Sequence, residues 1–525
     1  MVDAGWILPV LDGFDEIATG LHRAALAELN AISLPLILTS RTEQFADAVA
    51  TNVLRKAAGI ELADLTTDDV AHYLPCTARP TGQGEQAGRA ATAWDPVLDE
   101  LRNRPDSRSA ANLSTVLSTP LMVLLARTLY SDSPGQDPAD LLDTVRFPTP
   151  EAIEEHLLAG FVPTVYHQRP PTRTGAAASH LHPHRGWDPQ RARHYLGQLA
   201  GHLERPKQRN RQDLAWWQLS SVLSLPARIL AIVLACTVVT TVSGLIVNAA
   251  MRATGYPRAY SLELTIGLVA GLAVGLAFGL AYGIAVVLGK ETFDPSRVRL
   301  QLPGRGRRKA GAPAHRLSSA FGAGLLIGLA VGLAYGPTTT LLAPETIPRS
   351  LSGRPPVEVM LIRSFLGSVL YGTAGCMALG LMAALETPLD LESAATPERL
   401  LAINRGTVIR QALFVAPVIT IAVTSACRVL ENFSTMDWFG WLATGTQCGL
   451  IGTVSYVLAF TAWGQWVLFT RIALPLTGRL PWAVMAFLDD AYHRGVLRQV
   501  GAAYQFRHAR LQSHLSSAPH ASEHG

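Results

Sequence analysis

Charge is scarce in this chain. Asp, Glu, Lys and Arg make up 16% of its 525 residues, while the hydrophobic set reaches 49%; a soluble globular chain carries about 25% charged residues. That balance, with a mean hydropathy of +0.22, excludes a disordered protein and a collagen-like fibre. It points to a chain that is part soluble and part membrane-embedded. Cysteine is scarce too. Cys76, Cys236, Cys376, Cys427 and Cys448 form no CxxC pair, which excludes a disulfide scaffold; the last four fall in or beside apolar runs and read as small apolar fillers. A net charge of +4 is too mild for nucleic acid without a clustered basic patch, and no nucleic-acid partner is expected. The opening MVDAGWILPVLDGFDEI has no basic stretch followed by a signal-peptide core, so the first domain is expected in the cytoplasm.

What is present in quantity is long apolar stretches. Six candidate spans lie at Ile229–Met251, Leu264–Leu288, Ala320–Leu342, Ser364–Leu385, the weaker Ala412–Ala426, and Trp441–Ala462. A hydrocarbon core of about 30 Å needs roughly 20 apolar residues as a helix. The fifth carries Pro417 between Arg410 and Arg428, so it is expected either to kink across or to lie at the interface. Basic residues crowd 290–316 and the approach to the first span, at Lys207, Arg209, Arg211 and Arg228. Short basic loops stay cytoplasmic, so six crossings with both termini inside fit the pattern.

The spans hold an internal repeat. Gly271–Gly283 reads GLAVGLAFGLAYG and Gly324–Gly336 reads GLLIGLAVGLAYG, ten of thirteen positions matching at an offset of 53. Glycine every fourth residue lines one helical face and lets two backbones approach closely. Tight pairing within the chain is the expectation, a ring of such helices from several copies the alternative. No charge sits mid-span on this face, which argues against a proton relay.

The chemistry expected of this chain lies near its start. Trp6–Leu11 reads as a buried apolar strand, as Leu34–Leu38 does after it, and it ends in Asp12-Gly13-Phe14-Asp15-Glu16, which places carboxylates at the carboxyl edge of a sheet, where ligands sit in open α/β folds. Asp12 is placed to hold Mg²⁺, and Asp15 and Glu16 to orient or deprotonate an attacking water. A helix over Ile17–Ile32 follows, then a second strand at Leu34–Leu38 tipped by Thr39-Ser40-Arg41-Thr42, whose Arg41 can reach a γ-phosphate. A third strand is expected at Gly59–Leu65, and a capped helix at Thr66–Leu74 with Asp68 and Asp69 in its first turn.

The runs ILPVLDGFDEI, PLILTSRT and IELADLTTDDVAHYL resemble the Walker B, sensor 1 and closing segments of the NACHT family of signal-transduction NTPases. LSTPLMVLLARTLY (117–130) resembles that family's helical-domain motif, which implies Pro120 against the adenine. YQFRHARLQSHL (504–515) resembles its winged-helix motif, which implies His508 on the β-phosphate. The resemblance covers about 1–220 and 471–515. It implies a partial α/β P-loop core over 1–75, a helical domain over 76–145, and the first part of a winged-helix-like region with linker over 146–223. A membrane region over 224–470, the closing winged-helix segment over 471–515 and a tail over 516–525 complete the chain. The cofactor implied is ATP or GTP with Mg²⁺; the partners implied are the lipid bilayer and further copies of the chain.

One departure bears on activity. No GxxxxGK[ST] occurs in the chain, and Met1 stands only 11 residues before Asp12. The P-loop supplies the N–H cradle and lysine for the phosphates, so the residues given are not expected to bind ATP tightly, and a start upstream is expected. The alternatives are a non-catalytic scaffold and a channel subunit with a vestigial regulatory domain. Two further features carry less. His180, His182 and His184 have HxHxH spacing in a linker-like stretch, a weak metal signal. Trp216, Trp217, Trp438, Trp441, Trp463 and Trp466 are read as headgroup anchors.

Overall fold

The structure, a computed structural model, describes residues 8–14, 22–32, 34–40, 42–50, 53–86, 89–131, 136–167, 186–204, 213–255, 263–288, 293, 295–298, 312–388, 396–429, 438–500 and 502–517. The chain divides into two units, one holding 1–127 and 137–153, the other 128–136 and 154–525.

In the first unit, β1 (Val10–Leu11) and β2 (Ile37–Leu38) pair in parallel, Val10 opposite Ile37 and Leu11 opposite Leu38. This is the adjacency expected of the two apolar runs. α1 (His22–Ala31) falls between them and α2 (Thr42–Val49) follows. The third strand does not form. Residues 59–66 are irregular, with Ile60 88% and Leu62 93% exposed; with no neighbouring strand to pair with, the alternation in GIELADL has nothing to bury against. α3 (Thr67–Thr77) starts where Thr66 predicts. The Asp69 N–H donates to the Thr66 hydroxyl oxygen (3.2 Å) and the Thr66 N–H to the Asp69 carboxylate (2.9 Å), a reciprocal capping box. The Thr66 hydroxyl, donating to the Asp69 carboxylate at 2.6 Å, and then the Thr66 N–H hold the pKa of that carboxyl below its ordinary value.

An antiparallel hairpin, β3 (Pro80–Gln86) with β4 (Arg89–Thr92), stands where only helices are expected. α4 (Asp95–Asn103), α5 (Arg108–Leu117) and α6 (Pro120–Tyr130) follow. α5 and α6 turn on each other by 108° at Ser118–Thr119. Trp94, Leu98, Leu113, Leu117, Met122 and Leu125 form the core of this unit.

The second unit takes in most of α7 (Pro150–His167) and α8 (Pro189–Leu203), then the apolar helices α9 (Leu225–Ala253) and α10 (Glu263–Val287). The short strand β5 (Ser296–Val298) precedes α11 (Ala312–Leu342) and α12 (Pro356–Leu385). It pairs antiparallel with β6 (Glu386–Pro388), which leads to α13 (Pro397–Val429) and α14 (Trp438–Phe460). Each of the six helices packs on the next, and α14 returns to α9. Among the described residues, α9 to α13 are long and apolar enough to cross a membrane. α14 joins them when taken with its continuation, from which it is bent by 79°. The weak fifth run is one continuous helix through Pro417. A helix interior that loses one hydrogen bond at proline is held where neighbouring helices pack on it, and α14 packs on α13 along this length.

Glycine packing pairs the helices. Methyl groups built on Gly271 and Gly275 would come within 2.8 and 2.5 Å of the Thr237 and Val233 carbonyl oxygens of α9. Those built on Gly328 and Gly332 would collide with the backbone of Gly372 and Ser368 on α12. Gly445 and Gly449 of α14 lie as close to Thr420 and Ala416 of α13. The tight pairing expected of the repeat is therefore present, and its other face is as regular. Leu272, Leu276 and Leu280, and likewise Leu325, Leu329 and Leu333, each follow a glycine by one residue and are exposed. Glycine faces the protein and leucine faces outward.

After α14 the chain runs through α15 (Ala462–Gln465), a π-helical stretch at Trp466–Ala473 and α16 (Leu474–Leu476). It then forms α17 (Val484–His493), the antiparallel hairpin β7 (Leu497–Val500) and β8 (Ala503–Phe506), and α18 (Ala509–Ser517). These last elements pack on α7 and α8, from the other side of the membrane-length helices in sequence. Phe487 is fully buried against Trp187 (5.3 Å), Tyr195 (5.6 Å) and Tyr166 (6.4 Å). Tyr504 and Leu214 exchange backbone hydrogen bonds, Gln505 donates to Asp213, and Arg510 pairs with Glu154 at 3.3 Å.

Candidate functional site

The strand tip in the first unit is built by pairing. The Thr39 N–H donates to the Leu11 carbonyl (2.9 Å) and the Phe14 N–H to the Thr39 carbonyl (3.0 Å), which extends the parallel ladder past both strands. Thr39 thereby sits beside the turn that follows β1. Its hydroxyl donates to the Asp12 carboxylate and accepts from the Gly13 N–H (3.1 Å). Gly13 has φ +78°, a conformation glycine adopts without strain. Phe14 is buried, stacked on His22 at 5.2 Å and edge-on to Phe45 at 6.0 Å. The result is an exposed carboxylate at the carboxyl ends of two parallel strands, oriented by a hydroxyl from the neighbouring one. Thr39 is the positioning residue that the sequence marked only as a polar strand tip.

Asp15, Glu16 and Arg41 lie outside the described residues. Pro120 is the first residue of α6 and is exposed, at the 108° bend. Pro at this position has no N–H to lose and starts a helix without strain. Asp12 and Pro120 belong to the first unit and His508 to the second.

His508 stands between β8 and α18, its carbonyl accepting the Gln512 N–H at 3.2 Å. The imidazole is half-buried, and its Nε2 is buried without a hydrogen-bond partner among the described residues. Burial pushes it below its ordinary value, and the nearby Arg507 and Arg498 push in the same direction.

The aromatic anchors divide into two kinds. Trp216, Trp217, Trp441 and Trp466 are buried, none above 8% exposed, whereas Trp438 is 52% exposed, so the reading of those four as headgroup anchors is corrected: Trp216 and Trp217 meet edge-on at 5.4 Å, and Trp216 packs on Trp466 at 6.4 Å. They join the start of α9 to the π-helical stretch. Trp482, which the sequence reading passed over, is 58% exposed. Its signal was the lack of any Asp or Glu from 461 to 488.

Among the described residues no cluster of three His, Cys, Asp or Glu side chains could hold a metal ion; His180, His182 and His184 lie outside them. The cysteines are unpaired, Cys236 and Cys427 being buried in the helices. Comparison with family models, with curated proteins and with solved structures finds no match for the chain.

Proposed function

We propose that the chain is a membrane-anchored regulatory module of NACHT type, in which nucleotide state governs self-association of the membrane helices. The observation that carries this reading is the parallel pairing of β1 with β2, which sets Asp12 and the Thr39 hydroxyl together at the carboxyl edge. Both offer hard oxygen donors of the kind Mg²⁺ takes, directly or through water, and the ion would neutralise phosphate charge there. In this reading Asp15 and Glu16 act on the attacking water, Arg41 senses the γ-phosphate, Pro120 meets the base and His508 the β-phosphate. The phosphate cradle itself is not among these residues. A second support is the split body of α7, α8, α17, β7, β8 and α18. Its two parts meet although 225–476 lies between them, which supports reading an even number of crossings. The bistable element in this reading is the nucleotide module, biased by the γ-phosphate.

One observation favours a second reading, a scaffold without nucleotide. Val10, Leu11 and Ile37 of the parallel pair are exposed, an apolar edge open to a partner strand. Photolabelling with an azido analogue of ATP, on the full-length protein in its native membranes, separates the two. The switch predicts Mg²⁺-dependent label, competed by ATP or GTP and lost in Asp12→Asn. Label that competes equally well in Asp12→Asn, or no competed label on the chain, overturns it in favour of the scaffold.

A further inference from the structure

α14 ends at Phe460, and the chain turns by 79° into the stretch that runs to Leu476. The break is held by hydrogen bonds. The Thr461 hydroxyl donates to the Val457 carbonyl (2.7 Å) and accepts from the Gly464 N–H (3.0 Å), and the Gln465 amide donates to the Ala459 carbonyl (2.8 Å). A bend so held is a fixed corner, not a frayed end. If α14 crosses a bilayer, a helix near a right angle to it runs along the interface.

The faces of that second stretch differ. Trp466, Phe469, Thr470 and Leu474 are buried. Arg471, Ile472 and Leu476 are exposed, Leu476 at 70%, and after the turn at Gly478 (φ +70°) so are Arg479 and Trp482. The Arg471 guanidinium lies over the Trp466 ring at 5.4 Å, which holds it at the rim. With no Asp or Glu between 461 and 488, nothing in this stretch opposes the two cations.

We propose that Arg471, Ile472, Leu476, Arg479 and Trp482 form a docking surface for anionic phospholipid. The apolar three enter the acyl boundary and the two guanidinium groups take the headgroup phosphates. The occupant is argued from charge complementarity, two exposed guanidinium groups among the exposed apolar side chains of Ile472, Leu476 and Trp482. Phosphate takes planar guanidinium in two parallel bonds, and tryptophan settles where an apolar body meets a wet edge. The surface would hold the corner against the bilayer and so fix the membrane side of the split body.

This rests on reading α9 to α14 as bilayer-spanning, and the test keeps the two apart. The full chain is purified, reconstituted in phosphatidylcholine nanodiscs and compared with nanodiscs containing phosphatidylglycerol, following the thermal midpoint; short-chain phosphatidylglycerol is titrated in detergent for affinity. Phosphatidylglycerol should raise the wild-type midpoint. Loss of each arginine should weaken its apparent affinity about 5-fold, the equivalent of about 1 kcal/mol per basic side chain at an anionic surface. Arg471→Gln/Arg479→Gln should lose the rise while matching wild type in phosphatidylcholine. Arg479→Gln alone, outside the helix and exposed, keeps the test open should the double variant misfold. Equal affinity of wild type and Arg479→Gln overturns the proposal. A change of self-association by the variants in phosphatidylcholine overturns it too, by assigning the face to a second copy. Failure of the spanning reading looks different: the wild type then stays in solution without detergent and enters neither nanodisc.

Discussion

α10 and α11 carry nearly the same glycine stripe, yet they meet unlike partners. α9 offers α10 the residues Thr237, Val233 and Ile229; α12 offers α11 the residues Gly375, Gly372, Ser368 and Ser364. The hydroxyls behave differently as well. Thr237 and Thr241 bond back to their own helix, to the Val233 and Thr237 carbonyls at 2.8 Å each, which leaves methyl groups for the seam. Ser364 and Ser368 reach across, to the Leu333 carbonyl at 3.2 Å and the Leu329 carbonyl at 3.5 Å, and the Cys376 thiol reaches the Phe321 carbonyl at 3.4 Å. Both seams set glycine against backbone, but the second is tighter, with a methyl on Gly328 or Gly332 falling closer to the facing backbone than the 2.8 or 2.5 Å at Gly271 or Gly275, and it carries these hydroxyl bonds from helix to helix. The stripe fixes that a seam is close, and the partner's residues fix how close. In lipid, where burial supplies no drive between helices, that difference is a difference in pairing strength.

The most severe way to break the comparison is Gly332→Val. Its added atoms fall inside the backbone of Ser368, which cannot move without separating the helices. The expected cost is above about 3 kcal/mol, beyond ordinary overpacking, read as a collapse of the thermal midpoint in detergent. Gly275→Ala should be milder, about 1–3 kcal/mol, because it adds a single methyl that meets the Val233 carbonyl at 2.5 Å, where the first added carbon at Gly332 falls closer still, on the Ser368 backbone. A larger loss from Gly275→Ala than from Gly332→Val would refute the ranking of the seams. Ser364→Ala sharpens it further. Removing one interhelical hydrogen bond should cost about 0.6 kcal/mol, whereas Thr237→Val on the first seam, whose hydroxyl bonds only its own helix, should cost less under the same melt.

The repeat was legible because its period is local: glycine every fourth residue states a face, and leucine one place later states the opposite face. Its partner was not legible. Ser364, Ser368, Gly372 and Gly375 do not form a run that the eye separates from any other span, and two matching stripes could equally have packed on each other. The same divide runs through the first unit. The Thr66 cap is set by neighbours within a few residues and forms where expected, whereas the two apolar runs pair over only two residues each, Val10–Leu11 with Ile37–Leu38, and Val10, Leu11 and Ile37 are exposed where buried strands were expected. GIELADL needed a strand beside it and has none. PTGQGEQ and RAAT carry little β propensity, so β3 and β4 gave no signal. At the candidate site, Asp12 was readable from its place after an apolar run, but Thr39's hydroxyl bond to it follows only from the register Leu11 to Leu38. Tryptophan misled for a plain reason. The same ring serves a protein core and a lipid interface, and only burial tells Trp216 from Trp482.

The most discriminating effect is expected at Gly283, where the sign should reverse. A methyl there meets only the Ile229 Cδ1 atom, at 3.1 Å, with Cγ1 at 3.8 Å and no backbone nearby. The tip of an isoleucine can shift by a few tenths of an ångström, so Gly283→Ala should keep the seam and gain helix propensity, about 0.5–1 kcal/mol. Gly336→Ala occupies the matching place in the other repeat, where the methyl meets the Met360 carbonyl and the Ser364 side chain and backbone; it should destabilise. Opposite signs from the same substitution at equivalent positions would show that the partner, not the stripe, decides the packing. Equal signs would show that the repeat alone does.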